Sequence, residues 1–212
     1  MSQIITEALI KTLIMVFAST ALSVILGFIP AILLTVTAND GLRPNKLIYG
    51  ILDFIVNTLR SFPFVILMVI IIPLTRAIVG KTTGTAAAVV PLTIAAAPFV
   101  SRVIESALRE VDKGVIEAAK SFGASDTQII FKVMLKEAIP SIMSGITLTI
   151  ISIVGYSAMA GTLGGGGLGD VAIRYGYQRF ETDMMVVTCI ILIILVQGLQ
   201  FLGNYFYNKL SK

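Results

Sequence analysis

Long apolar runs separated by short polar segments dominate the chain. Five of these runs are long enough to cross a bilayer, at residues 12–37, 51–73, 85–103, 138–159 and 184–206. A hydrocarbon core about 30 Å thick needs roughly 20 apolar residues in helical conformation, because each residue adds about 1.5 Å of rise. The pattern predicts an all-α integral membrane protein with five transmembrane helices, formed by residues 1–212 as a single domain.

Prolines shape the second and third runs. Pro63 removes one backbone hydrogen bond from the second run and disfavours helix at Phe62, so we expect a bend there. The third run is rich in alanine and carries Pro91 and Pro98. Because small side chains let helices approach closely in lipid, the third helix is expected to pack against other helices.

Composition excludes most catalytic chemistry. The chain is 56% hydrophobic and 13% charged, with a mean hydropathy of +0.94, whereas a soluble domain has about 25% charged residues. It has no histidine, and its one cysteine, Cys189, lies in an apolar run where a packing role is expected. Without the usual general base, zinc ligand or disulfide partner, the chain is not expected to be an enzyme.

Lysine and arginine are distributed unevenly between the two membrane faces. Alternate loops and chain ends carry ten lysine and arginine residues on one face and five on the other. The face with ten holds the polar segment 102–137. The positive-inside rule therefore places that segment and the C-terminus in the cytoplasm and the N-terminus outside. The net charge of +4 is interpreted as topology information and not as a sign of nucleic-acid binding.

The cytoplasmic segment predicts two short helices around Gly123. Residues 115–122 are good helix formers, and Gly123 can end that helix in a left-handed conformation. Ser125 and Gln128 have the spacing of a capping box for a second helix that ends near Pro140. Such a segment suits either docking on a partner or an amphipathic helix at the membrane surface. The apolar face predicted for the first helix consists of Val115, Ile116, Ala119 and Phe122.

The order of residues in this segment resembles the EAA loop of ABC importer permeases, the membrane subunits of binding-protein-dependent transport systems. Glu117-Ala118-Ala119, then Gly123, an apolar pair and Pro140 follow that pattern. The resemblance implies a type I permease fold in which a loop at about 110–137 carries the coupling helix seated in an ATPase subunit. It assigns ATPase coupling to Glu117, Ala118, Ala119, Lys120, Ser121, Phe122 and Gly123.

Three further segments, at 57–64, 91–99 and 154–169, are similar to the methionine-uptake permeases of bacteria. This resemblance implies an inner-membrane permease for L- or D-methionine or a derivative. Its partners would be a cytoplasmic ABC ATPase dimer and an extracytoplasmic methionine-binding protein. ATP and Mg would be bound by the ATPase, so no cofactor is expected in this chain. Because five helices enclose too little volume for an amino-acid pathway, we expect a homodimer with the route at its two-fold axis.

Two glycine-containing motifs are not taken as nucleotide sites. The segment 164–169 satisfies G-x-G-x-x-G, but it follows a membrane span rather than a strand and is interpreted as an outer turn that allows close approach. Gly80-Lys81-Thr82 resembles the end of a Walker A motif, yet Thr75 stands where that motif needs its first glycine.

Four residues are candidates for the transport pathway. Tyr156, Ser157 and Met159 lie at the outer end of the fourth helix, and the flexible Met159 is interpreted either as a gate or as a packing residue. Arg60 either lies near the pathway or extends to the cytoplasmic interface with Asp53.

One rival function stays open, that of an ion-coupled secondary transporter. Such a protein would need ionisable residues near the membrane midplane and usually has an inverted repeat. The sequence has no clear repeat, and Arg60 is its one candidate for a deep charge.

Overall fold

The computed structural model describes residues 2–211, and all regular structure in this range is helical. We number ten α-helices, interspersed with three π-helical segments at Ile129–Met134, Gly161–Gly165 and Ala172–Tyr177. The α-helices are α1 Ser2–Thr37, α2 Lys46–Ser61, α3 Phe64–Ile70, α4 Ile72–Val79, α5 Thr85–Arg109, α6 Lys113–Ser121, α7 Asp126–Gln128, α8 Leu135–Ala160, α9 Leu168–Val171 and α10 Thr182–Leu210.

Within the described residues, four helical stretches are long and apolar enough to cross a membrane: α1, α5, Asp126–Gly165 and α10. A fifth span forms if α2 and α3 are counted together, although they are bent by 102°. The break lies at Phe62, which is extended with φ −72° and ψ 127°, directly before Pro63. The proline-induced bend is thus confirmed, and it separates two helices instead of kinking one.

Helices α1 and α5 pack against each other along a face of small and hydroxyl-bearing residues. A Cβ placed on Gly27 would stand 2.6 Å from the carbonyl oxygen of Ala97, so the two backbones are close there. The Ser101 hydroxyl donates to the Gly27 carbonyl oxygen at 2.9 Å, and the Ser23 hydroxyl donates to that of Thr93 at 3.1 Å. The expectation that the third span packs against other helices is confirmed.

Two apolar clusters join α1, α5 and α8. The first cluster is centred on Met15, Leu92 and Ile153. The second is called the cytoplasmic cluster, after the face that the lysine and arginine count predicts to be cytoplasmic; it is formed by Ala31, Val100, Ile104, Ala107, Leu108, Val111, Ile129, Ile130, Met134 and Ala138. Helix α10 lies at the edge of the bundle, because only 6% of its most apolar 18-residue stretch is buried.

The glycine-rich segment after α8 packs closely against the bundle, and the close approach predicted from its glycines is confirmed. A Cβ on Gly169 would collide with the backbone of Ala158, so this approach requires glycine. The Thr12 hydroxyl accepts a hydrogen bond from the Leu168 backbone N–H at 2.9 Å, and the Gly84 N–H donates to the Gly164 carbonyl at 2.8 Å. This segment therefore joins the start of α5, α8 and α1 at one end of the bundle.

Candidate coupling loop and transport path

Both ends of α6 are fixed by local hydrogen bonds. Asp112 caps the N-terminus by accepting from the Gly114 N–H at 2.6 Å. At the other end Gly123 has φ +79°, its N–H donates to the Lys120 carbonyl at 2.9 Å, and the Ala124 N–H reaches the Ala119 carbonyl at 3.1 Å. This pair of bonds is a Schellman motif, so the termination of the helix at Gly123 is confirmed.

The second half of the loop begins as predicted and ends differently. The Gln128 N–H donates to the Ser125 hydroxyl at 3.4 Å, and the Ser125 N–H donates to the Gln128 side-chain oxygen at 2.9 Å, which completes the capping box. The prediction that this helix ends near Pro140 is wrong, because the helical stretch Asp126–Gly165 passes through Pro140 without a break. Met134 and Ala138, which precede Pro140, are buried in the cytoplasmic cluster, and this burial holds the helix in place although Pro140 has no backbone N–H to donate.

The apolar face predicted for α6 is split by the structure. Ile116 and Ala119 are half-buried and pack against the cytoplasmic cluster, whereas Val115 is 42% exposed and Phe122 is 91% exposed. Of the seven residues assigned to coupling, Ala119 alone is half-buried, and the other six are exposed: Glu117, Ala118, Lys120, Ser121, Phe122 and Gly123. The helix is thus held by one face and leaves the other face exposed.

The structure does not bring the three outer pathway candidates onto one surface of the protomer. Tyr156 stacks on Phe64 with ring centroids 4.9 Å apart and so joins α8 to α3. Ser157 is buried, and its hydroxyl donates to the Val154 carbonyl at 2.7 Å. Met159 is 46% exposed on the protomer.

Arg60 is exposed, and its guanidinium lies 5.8 Å from the centroid of the Phe99 ring. The proposed pairing of Arg60 with Asp53 is wrong, because Asp53 binds Arg102 of α5. Arg102 can span both Asp53 and Glu105 with its planar guanidinium, and it therefore competes successfully for this carboxylate.

Sequence reasoning missed most of a network of ion pairs near the C-terminus of α5. Glu105 and Arg109 are four residues apart on α5, a spacing that favours an ion pair, and their charged groups lie 3.7 Å apart. Arg109 also binds the loop residue Asp40 at 3.0 Å, and Lys113 lies 3.6 Å from the same carboxylate. Burial acts to raise the pKa of the Asp40 carboxyl, but a backbone hydrogen bond and the charges of Arg109 and Lys113 outweigh burial and lower that pKa below its usual range.

The chain combines apolar membrane spans with one exposed helix, α6, whose two ends are fixed by hydrogen bonds. This combination is typical of a membrane transport subunit that works with a partner. The family described as binding-protein-dependent transport system inner membrane component matches residues 23–212. This chain belongs to that family.

Three named proteins are similar to this chain over most of its length. The probable D-methionine transport system permease protein MetI of Vibrio cholerae is 51% identical over 99% of this chain and 93% of its own length. The methionine import system permease protein MetP of Bacillus subtilis is 43% identical over 85% of this chain and 81% of that relative. A crystal structure of the MetNI methionine ABC transporter in an inward-facing conformation matches at a TM-score of 0.98 with 40% identity, covering 100% of this chain and 98% of that one.

Proposed function

We propose that this chain is the permease subunit of an ATP-driven importer that carries methionine, in its L or D form, across the bacterial inner membrane. The observation that carries the proposal is that Ile116 and Ala119 pack α6 against the cytoplasmic cluster, while the other residues between Glu117 and Gly123 are exposed. The names of the relatives from Vibrio cholerae and Bacillus subtilis support methionine as the substrate.

The exposed side of α6 is proposed to dock on a cytoplasmic ABC ATPase dimer. Phe122 is the most exposed large apolar side chain in the described part of the chain, so a partner's groove would remove much apolar surface from water. ATP and Mg would be bound and used by that partner, and this chain would hold no cofactor. Closure of the ATPase dimer would move α6, and the cytoplasmic cluster would pass that movement to α5 and α8.

The membrane arrangement is proposed to be a homodimer with the N-terminus outside and the C-terminus in the cytoplasm. Helices α2 and α3 leave large apolar side chains uncovered in the single protomer, including Leu47 at 73%, Phe54 at 71% and Ile70 at 58% exposure. A second copy packed along a two-fold axis would cover part of this surface and enclose the route between the two protomers. A methionine-binding protein would deliver substrate to the outer face.

Met159 is proposed as the gate of this route because it is exposed and has a flexible side chain. Tyr156 would position the gate through its stacking on Phe64, and Ser157 would hold the local helix through its buried hydroxyl. Arg60, exposed near the break between α2 and α3, would contribute positive potential to the pathway.

The rival function, ion-coupled secondary transport, needs a titratable site deep in the membrane. Among residues 2–211, Glu105 is the only charged residue that is buried, and its partners Arg102 and Arg109 lie with it at the cytoplasmic end of α5. The placement favours a structural ion-pair network over an ion-coupling site.

Reconstitution distinguishes the two functions. Liposomes that contain this chain, its cognate ATPase and the binding protein should accumulate labelled methionine only when ATP is hydrolysed, and ionophores should not abolish uptake. Uptake driven by an ion gradient without ATP would overturn the proposal. A binding protein loaded with another amino acid serves as the control for substrate.

A further inference from the structure

Helix α2 has little apolar attachment to the rest of the chain. Val56 is its one buried residue among those the structure describes, while Leu47 and Phe54 on the same helix are more than 70% exposed. Hydrophobic burial therefore does little to fix the position of α2 within a protomer. Polar contacts at its cytoplasmic half must supply much of that attachment.

Those polar contacts converge on two residues of α5. One terminal nitrogen of Arg102 binds the Asp53 carboxylate of α2, and the other binds Glu105 at 2.7 Å. The Tyr49 hydroxyl, also on α2, donates to the other oxygen of Glu105 at 3.3 Å. The Glu105 side chain is 5% exposed and that of Arg102 is 18% exposed, so both charges are shielded from water and depend on each other.

The Glu105 carboxylate also connects these contacts to α6 through further ion pairs. Glu105 lies 3.7 Å from Arg109, which binds Asp40 at 3.0 Å, and Asp40 in turn lies 3.6 Å from Lys113, the first residue of α6. These contacts join α2, α5, the loop after α1 and the start of α6. They link elements that are separated in sequence, with Asp53 49 residues from Arg102 and Arg109 69 residues from Asp40.

We infer that Arg102 and Glu105 are positioning residues that tie α2 to the coupling helix, so that movement of α6 displaces the half of the broken span that ends at Pro63. The inference rests on the proposed ATP-driven function. Arg102 acts through geometry as well as charge, because its planar fork reaches two carboxylates at once. A lysine at this position keeps the charge but cannot make both contacts with fixed directions.

The test compares Arg102→Lys and Glu105→Gln with Arg174→Lys. Arg174 pairs with a single carboxylate, that of Asp170 four residues earlier, so it controls for the loss of a guanidinium that does not join two helices. Hydrogen exchange of the purified full chain is measured over residues 46–61 and 113–123, and methionine uptake per ATP hydrolysed is measured with the complete transporter. We expect both test variants to lose protection in α2 and to lower uptake per ATP about tenfold, while Arg174→Lys changes neither.

Each outcome decides a separate statement. Unchanged exchange in α2 for Arg102→Lys would overturn the tie itself. Faster exchange with normal uptake per ATP would overturn its role in coupling. If the wild-type transporter showed no ATP-driven uptake, the proposed function would fail, but the exchange data would still report on the tie. Arg102→Lys keeps the charge and guards against a variant that simply fails to insert.

Discussion

Gly123 offers the sharpest perturbation of the coupling loop. Its φ is +79°, and no atom beyond its chain neighbours in the described structure lies within 4 Å of the place where a Cβ would stand. A side chain there meets a backbone cost and no clash. For most L-residues the left-handed region costs roughly 1–2 kcal/mol, which corresponds to a factor of about 5–30 in the population of this helix end.

Three substitutions separate backbone cost from side-chain size. Asn tolerates the left-handed region, Ala does so less well, and the β-branched Val does so least. We therefore expect uptake per ATP hydrolysed to be highest in the wild-type chain and to decrease from Gly123→Asn to Gly123→Ala to Gly123→Val. The Val variant should lose roughly 5–30-fold if the Schellman end must form for docking.

The assay is ATP-dependent methionine uptake with ATP hydrolysis measured in parallel. Gly198→Val is the matched control, because Gly198 lies on the exposed α10 with no atom within 4 Å of its Cβ position. The control should transport normally. If Gly123→Ala transported better than Gly123→Asn, side-chain size at a partner surface would explain the effect, and the reasoning from backbone conformation would be refuted.

Three further predictions concern other parts of the molecule. Gly169→Ala should destabilise the chain by about 1–3 kcal/mol through overlap with the Ala158 backbone, seen as a lower thermal unfolding midpoint in detergent, whereas Gly198→Ala should not. Phe122→Ala should leave that midpoint unchanged but reduce co-purification of the ATPase; normal co-purification would remove Phe122 from the docking surface. Met159→Gly should increase methionine leak from liposomes without ATP, and an unchanged leak would exclude the gate.

Local features of this chain were predictable because neighbouring residues determine them. The break at Pro63, the left-handed end at Gly123 and the capping box of Ser125 with Gln128 all follow from backbone chemistry within a few residues. The structure confirms each of them. The apolar spans were predictable because a bilayer requires a fixed length of apolar helix, and the predicted five are reached when the bent pair α2 and α3 counts as one span.

Contacts between distant segments were not predictable. Asp53 has Arg60 at i+7 on its own helix, yet it binds Arg102 because the packing of α2 on α5 brings that guanidinium closer. Val115 and Phe122 satisfy the same helical pattern as Ile116, but the position of the cytoplasmic cluster decides which of them is covered. The continuation of helix through Pro140 likewise depends on tertiary burial that outweighs a local breaker.

The central claim is that the exposed side of α6 receives the movement of an ATPase, and cross-linking tests it most directly. Cys189 is the sole cysteine, so Cys189→Ser provides a background in which single cysteines can be placed. Ser121→Cys, on the exposed side of α6, should cross-link to the ATPase and block uptake, whereas Gln178→Cys, exposed beyond α9, should not reach that subunit. Cross-linking of the ATPase to Gln178→Cys but not to Ser121→Cys would contradict the account.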